Sequence, residues 1–538
     1  MPIHDRPGKI WLLLPLLLWV WGSALGQTDT FAEQVQALDG RSFEAKNRAI
    51  ETLAASEHPR TRRVLRAMLE GDLYARKDDG RIVIITGKQG RDYLLEDALT
   101  GEKLPPAGRR DVSRISVNNT LRSQIRSKLA QLSLMDPSPA VRLEAVQQLI
   151  DDLNPQNAQL LAQIIPGEED SRVREAMDTA LALTGLQDPD PGARLAAIST
   201  LEGNLNPEIR IRLNRLLAEE PEEMVKAAAL DALDGIETRV AFYRWLETLF
   251  FGLSLGSVLF LAAIGLAITF GVMGVINMAH GELIMLGAYT TYVVQLLMPE
   301  AIGWSLLVAV PAAFLVSGLT GIAIERGIIR FLYGRPLETL LATFGLSLFL
   351  QQLVRSIFSP LNRSVTTPDW MQGTLEINPA FALTYNRLYI LLFSLLVFAA
   401  LLAILKHTSL GLKVRAVSQN RAMASAIGVR SQWVDAMTFG LGSGIAGVAG
   451  VALSQLTNVG PNLGQAYIVD SFLVVVFGGV GNLWGTLVSA LSLGVVNKFL
   501  EPASGAVLAK ILVLLFIILF IQKRPRGLFP QKGRAAEA

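Results

Sequence analysis

The stretch Gly271-Val-Met-Gly274-Val-Ile-Asn277-Met-Ala-His280-Gly-Glu282-Leu-Ile-Met-Leu-Gly-Ala-Tyr289 sets Asn277, His280 and Glu282 between two long apolar segments. A charged side chain at bilayer depth costs at least ~2.5 kcal/mol on insertion scales, so polar residues there usually face a bundle interior or an aqueous path. If the flanking segments cross a membrane, these three residues are candidates for a functional site.

The composition supports that condition. The 538-residue chain is 51% apolar and 18% charged, with a mean hydropathy of +0.38. It contains several runs long enough to span a bilayer, which marks an integral membrane protein. The character changes near position 240, from a charged, proline-punctuated first part to a long apolar second part. No basic helix or ladder of aromatic and basic residues is present, so a nucleic-acid partner is not expected. Cysteine is absent. Neither disulfides nor thiolate metal sites can therefore hold an exported part together.

Residues 1–26 combine a weakly basic start (Arg6, Lys9), an apolar run from Ile10 to Val20 and small residues at Ala24-Leu-Gly26. This suits a secretory signal cleaved before Gln27, a retained signal anchor being the other reading. Residues 27–240 then form an exported, mostly helical domain. Its second half, 136–239, carries a 52-residue repeat: Asp136-Pro137 recurs as Asp188-Pro189, Asn154-Pro155 as Asn206-Pro207, and Val173-Arg174 as Val225-Lys226. Each unit reads as three short helices, with Asp or Asn as cap and Pro in the first turn. The pattern resembles HEAT-like helical repeats. A small β insert is expected near residues 73–96, around Arg81-Ile-Val-Ile-Ile-Thr86 and Tyr93-Leu-Leu95. This region binds a partner, shields a pore mouth or is a structural appendage.

From residue 245 to 522 the expectation is an all-α polytopic membrane domain with about nine transmembrane or re-entrant segments, followed by a cytoplasmic tail at 523–538. An exported first domain makes the first span run inward. The loops thereby assigned to the cytoplasm carry thirteen basic residues, among them Arg326, Arg330, Arg335, Lys406, Arg421 and Lys523, whereas the outer loops carry Arg363 and Arg387. The positive-inside rule thus agrees with the signal-peptide argument.

One assigned cytoplasmic loop, 406–432, has ordered patterning. Gly411, Arg415, Ala416, Asn420, Ala424 and Gly428 recur at intervals that set Arg415, Asn420, Ala424 and Gly428 near one side of a short helix, with small residues allowing another surface to approach. A docking helix explains this better than an idle connector.

Three motifs in this order, Gly274-Val-Ile-Asn277-Met-Ala-His280-Gly-Glu282, Gly411 to Gly428, and Phe477-Gly-Gly-Val-Gly-Asn482-Leu-Trp-Gly485, resemble the branched-chain amino acid and urea permease family of ABC importers. The resemblance covers residues 245–530. It implies a multi-pass permease of the bacterial inner membrane that pairs with a second homologous permease. Two cytoplasmic ATPase subunits drive such a pair, and a periplasmic binding protein delivers the substrate. The family's ATPase-coupling helix corresponds to Gly411–Gly428. The long exported extension is similar to that of urea-transporter permeases, which points to urea. Branched-chain amino acids or short amides are the alternative, and a membrane-anchored sensor or assembly protein is the reading from another class.

Urea is neutral and rich in hydrogen-bonding groups, so its path needs polar groups and no fixed counter-charge. Thr269, Asn277, Asn482 and the backbone freed near Gly274 and Gly479 can supply them. His280 and Glu282 are expected near the cytoplasmic turn, either as solvated helix-start residues or as a gating network. They are too few to form a metal site. No phosphate-binding loop occurs, so the chain is expected to bind no cofactor and to be no enzyme, ATP being used by its partner subunits.

Overall fold

The computed structural model describes residues 31–529 apart from 41, 57, 90, 91 and 152. The signal-peptide reading of residues 1–26 and the end of the expected tail, 530–538, lie outside the described residues. The chain divides into two compact units, Met1–Thr238 and Arg239–Ala538.

The first unit opens on the helices Phe43–Ala54, Thr61–Glu70 and Asn119–Ser133, whose apolar faces meet a sheet. Ile50, Leu53, Leu65, Met68, Leu73 and Ile125 form their shared buried core. The sheet is larger than the expected insert. Its five antiparallel strands are β1 (Leu73–Arg76), β2 (Ile82–Gln89), β3 (Asp92–Asp97), β4 (Lys103–Gly108) and β5 (Val112–Arg114), in the order β4-β3-β2-β1-β5. The missed strands are the two edges. β4 contains Pro105 and Pro106, which strand patterning counts against but which an edge tolerates.

Helices Pro139–Asp151, Pro155–Ile164 and Ser171–Gly185 follow, then Pro191–Leu201 and Pro207–Glu219. Asn154, Asp170, Asp190 and Asn206 each accept a backbone N–H at a helix start. The 52-residue period has a structural counterpart. Arg142 grips Glu168 through Nη2 and Nε at 2.7 and 2.8 Å and donates Nη1 to the Asp136 carbonyl at 2.9 Å. Arg194 does the same with Glu220, at 2.7 and 2.8 Å, and with the Asp188 carbonyl at 2.8 Å. One repeat thus carries one forked clamp, a geometry that the planar guanidinium favours over a lysine.

In the second unit, seven helices are long and apolar enough to cross a membrane: Glu223–Met273, whose first residues belong to the first unit, Ile302–Phe331, Pro336–Phe358, Tyr385–His407, Ser431–Ser454, Leu483–Ser504 and Ala506–Lys523. Seven of the expected nine transmembrane or re-entrant segments are such helices among the described residues. The other two form the helices His280–Leu297 and Leu463–Gly478. The first begins with His280 and Glu282, and the second has only 16 residues, so neither reaches the length and apolarity of an independent span.

Ser431–Ser454 is the central element, almost wholly enclosed by other helices. Small residues let its neighbours approach at backbone distance. A Cβ at Gly442 would lie 2.6 Å from the Gly265 carbonyl oxygen, and one at Gly287 would collide with the Gly447 carbonyl. The glycines at 440–450 thus serve helix packing. Another strap joins the loop after Pro336–Phe358 to the segment after Ser431–Ser454: Arg363 and Val459 exchange backbone hydrogen bonds of 2.7 and 2.8 Å. A hairpin of β6 (Thr374–Asn378) and β7 (Phe381–Thr384) completes that loop.

Candidate functional site

Helix Glu223–Met273 stops where Gly274 takes φ +67°, a left-handed conformation costly for any residue with a Cβ. Residues 274–279 are not helical, and the chain re-enters a helix at His280. His280 Nε2 then lies 2.9 Å from the carbonyl oxygen of Ala262, eleven residues before Met273. At a helical rise of 1.5 Å per residue this is about 16 Å back along the preceding helix. The chain therefore doubles back into the bundle, and His280 and Glu282 are not at the turn where the sequence pattern sets them. Counting loop residues cannot detect such a return, because a six-residue connection reads as a simple turn.

Irregular backbone at this depth needs protein partners. Met278 N–H donates to Thr343 Oγ1 at 3.2 Å, and Ala279 N–H donates to Asn277 Oδ1 at 3.0 Å. Glu282 Oε1 accepts from Ser347 Oγ at 2.9 Å and from Gln351 Nε2 at 2.8 Å. Thr339, Thr343, Ser347 and Gln351 are all buried and recur every four residues along Pro336–Phe358, one polar line on an otherwise apolar helix. Three of the four serve the re-entering stretch. That spacing was visible in the sequence and would have identified them.

Asn277, His280 and Glu282 are each at most 1% exposed. The Ala262 carbonyl can only accept, so His280 carries its proton on Nε2 and presents Nδ1 as an acceptor. Asn277 Nδ2, His280 Nδ1 and Glu282 Oε2 have no partner among the described residues. One donor and two acceptors are thus enclosed at the helix break. They do not form one cluster: Glu282 faces Pro336–Phe358, whereas His280 turns to Ala262 and sits beside Gly265.

The other sequence-predicted positions have different partners. Thr269 Oγ1 donates to its own helix, to the carbonyls of Leu266 and Gly265 at 3.1 and 3.3 Å, and its methyl packs at Gly442. Asn482 caps Leu483–Ser504 by accepting from Gly485 N–H at 3.0 Å, and donates Nδ2 to the Phe529 carbonyl at 3.2 Å. Gly479, at φ +102°, lies against the same Phe529 backbone. Gly479 and Asn482 therefore hold the C-terminal segment. Gly271, near the end of its helix, and Gly481 meet at backbone distance, since a Cβ at Gly271 would collide with Gly481 Cα.

The segment 409–426 is two helices where one was expected, Ser409–Gln419 and Arg421–Ala426. Asn420 is extended (φ −150°, ψ 99°) and its side chain caps the second helix through Met423 N–H at 2.9 Å. A capping Asn competes with helix continuation, which periodicity alone does not register. Arg415 and Ala424 consequently sit on separate helices. Arg415 donates to the Leu405 carbonyl, the backbone on which Gly411 also packs, and Ala416 is half-buried. Ala424 is buried with Val414, Val417 and Val434. Gly428, at φ +91°, ends the second helix. Leu412, Met423 and Ile427 remain exposed.

Two kinds of comparison bear on this arrangement. Residues 248–521 match the family model described as the permease component of the branched-chain amino acid transport system. The chain belongs to this family. It is 30% identical over 298 residues to the high-affinity branched-chain amino acid permease LivH of Escherichia coli K12, covering 96% of that protein and 53% of this chain. It is 29% identical over 296 residues to BraD of Pseudomonas aeruginosa, with the same coverages. A more distant likeness, 25% over 263 residues, is to the ribose import permease RbsC of Escherichia coli K12, covering 78% of that protein and 46% of this chain. No solved structure matches the chain.

The branched-chain permease match contains both the re-entering stretch and the segment 409–426. Family membership and the apolar helices make the chain a multi-pass inner-membrane protein. Membership also implies ATPase and substrate-binding partners.

Proposed function

We propose that this chain is the transmembrane permease subunit of an ATP-driven importer whose substrate is urea. The observation that carries the reading is the helix break inside the bundle, where Asn277 Nδ2, His280 Nδ1 and Glu282 Oε2 are buried without a protein partner. Once opened to a solute, these groups would offer hydrogen bonds to a small molecule stripped of water, which suits a neutral one carrying both N–H groups and a carbonyl. The resemblance of the exported extension to urea-transporter permeases favours urea.

A branched-chain amino acid is the second reading, favoured by the names of the relatives and by the buried Glu282 carboxylate, which suits an ammonium group. In either case residues 27–240 are exported as a HEAT-like domain and the C-terminus is cytoplasmic. Segment 409–426 meets one of two ATPase subunits, and a second homologous permease completes the path. A periplasmic binding protein delivers the solute. ATP is used by the partners, this chain binding no cofactor and catalysing no reaction.

Uptake of labelled urea and labelled leucine by cells with and without the chain tests this. Loss of urea uptake alone supports the first reading and loss of leucine uptake alone the second. Unchanged uptake of both overturns the permease role for either solute.

A further inference from the structure

Arg421 is the first residue of the second short helix, and Asp435 is the fifth residue of Ser431–Ser454. The guanidinium meets the carboxylate with both prongs, Nη1 to Oδ2 and Nη2 to Oδ1, each at 2.8 Å. Asp435 is fully buried. The same guanidinium lies over the Tyr333 ring, 4.9 Å from its centre, and nearby Arg326 lies over Trp433 at 4.4 Å. The buried Glu325 carboxylate is 3.7 Å from Arg326. Four elements therefore meet here: the end of Ile302–Gly327, the turn holding Tyr333, the short helix and the start of the central helix.

The two sides of this junction differ in burial. The short helix is anchored by Ala424 and by Arg421, while Met423 and Ile427 project outward, 61% and 72% exposed. The central helix is almost wholly enclosed and runs without interruption from Asp435 to Gly442 and Gly447, where it touches Gly265 and Gly287 at backbone distance. A carboxylate buried at full depth is costly to leave unpaired, and a forked guanidinium fixes orientation as well as distance. The pair is thus a forked, buried connection between the short helix and the central one, whose glycine contacts flank the re-entering stretch.

We propose that the Arg421–Asp435 pair is the joint through which displacement of the Arg421–Ala426 helix reaches the glycine-packed core, which makes both of them positioning residues of the transport cycle. This rests on the permease reading above. A purely structural pair would affect abundance and ATP use together with uptake, whereas a joint separates uptake from ATP use.

The test uses the intact transporter, isolated from its own membranes through a tag on this chain, and cells supplied with labelled urea or labelled leucine. Arg421→Gln and Asp435→Asn are expected to keep membrane abundance and ATP hydrolysis within two-fold of wild type. Uptake of the transported probe should fall at least ten-fold. Arg421→Asp combined with Asp435→Arg is expected to restore at least a third of it. Wild-type uptake in the single variants overturns the proposal, as does a parallel fall of hydrolysis and uptake that the swap leaves unchanged. Should Arg421→Gln fail to reach the membrane, Arg421→Lys decides, because it keeps the charge and loses the fork. Uptake by that variant within two-fold of wild type overturns the joint, and loss of uptake with hydrolysis retained supports it. If the wild type itself moves neither probe, the permease reading fails with it, so the two failures are told apart.

Discussion

Gln351 donates its side-chain amide to Glu282 at 2.8 Å, joining residues 69 apart in the chain, and Ser347 donates to the same oxygen at 2.9 Å. Glu282 is otherwise enclosed, with Oε2 unpartnered. Replacing Gln351 by Met keeps the volume and removes one of two donors. We expect a loss of about 1.5–3 kcal/mol, the range for hydrogen bonds to charged groups, read as a lower midpoint of thermal unfolding in detergent. Glu282→Gln combined with Gln351→Met should lose less than the sum of the two single changes, since no charge is then left short of a donor. A strictly additive result would show that the two side chains do not interact.

The packing of helices His280–Leu297 and Ser431–Ser454 leaves no room for a methyl group at Gly287, which faces the Gly447 carbonyl. Gly287→Ala should destabilise the membrane unit by about 1–3 kcal/mol through overpacking. Gly345 is the control, because nothing lies within 4 Å of the position its Cβ would take. Gly345→Ala should raise stability by about 0.5–1 kcal/mol, since glycine within a helix costs backbone entropy. Equal effects of the two changes would contradict the packing argument.

The contrast between these glycines marks what the sequence makes legible. Helix-forming segments, the glycine-dense character of 440–450 and the 52-residue period follow from local composition and spacing. The Arg142–Glu168 and Arg194–Glu220 clamps join residues 26 apart, so one period only hints at them. The return of residues 274–279 into the bundle was not legible, because it is set by Thr343 on another helix. The split at Asn420 was missed for a local reason: a capping side chain was read as part of a helical face. The Arg421–Asp435 contact spans a turn whose geometry periodicity does not fix.

The clamps give the first unit a definite response to acid. Hydrogen bonding to Arg142 holds the Glu168 carboxyl below its ordinary value of 4.5, and Arg194 does the same for Glu220. The unfolded chain binds more protons than the folded one between the lowered value and 4.5. The stabilisation is therefore complete above that window and is lost as pH falls through the folded values. Hydrogen exchange in peptides from 139–222 of the full chain should accelerate as pH drops below about 4.5, after correction for intrinsic exchange. In Glu168→Gln combined with Glu220→Gln the protection should be lower at neutral pH and should vary less with acid. An unchanged acid response in that variant would assign the effect to other carboxylates.

Membrane sidedness is accessible because the chain has no cysteine, so one introduced thiol reports without background. The proposed topology, with the first unit exported and the basic loops inside, sets Arg109 and Leu361 outside and Arg335 inside. All three are exposed in the structure. Arg109→Cys and Leu361→Cys should react with a membrane-impermeant maleimide in spheroplasts, whereas Arg335→Cys should react only after permeabilisation. Labelling of Leu361→Cys together with protection of Arg109→Cys would place the first unit in the cytoplasm and overturn the inward crossing of Glu223–Met273, the later spans keeping their assigned sides. The reverse pattern at Leu361 and Arg335 would invert the whole bundle. That outcome would turn the exposed face of Met423 and Ile427 away from the compartment that holds ATP, and would remove segment 409–426 as the site where ATPase subunits act.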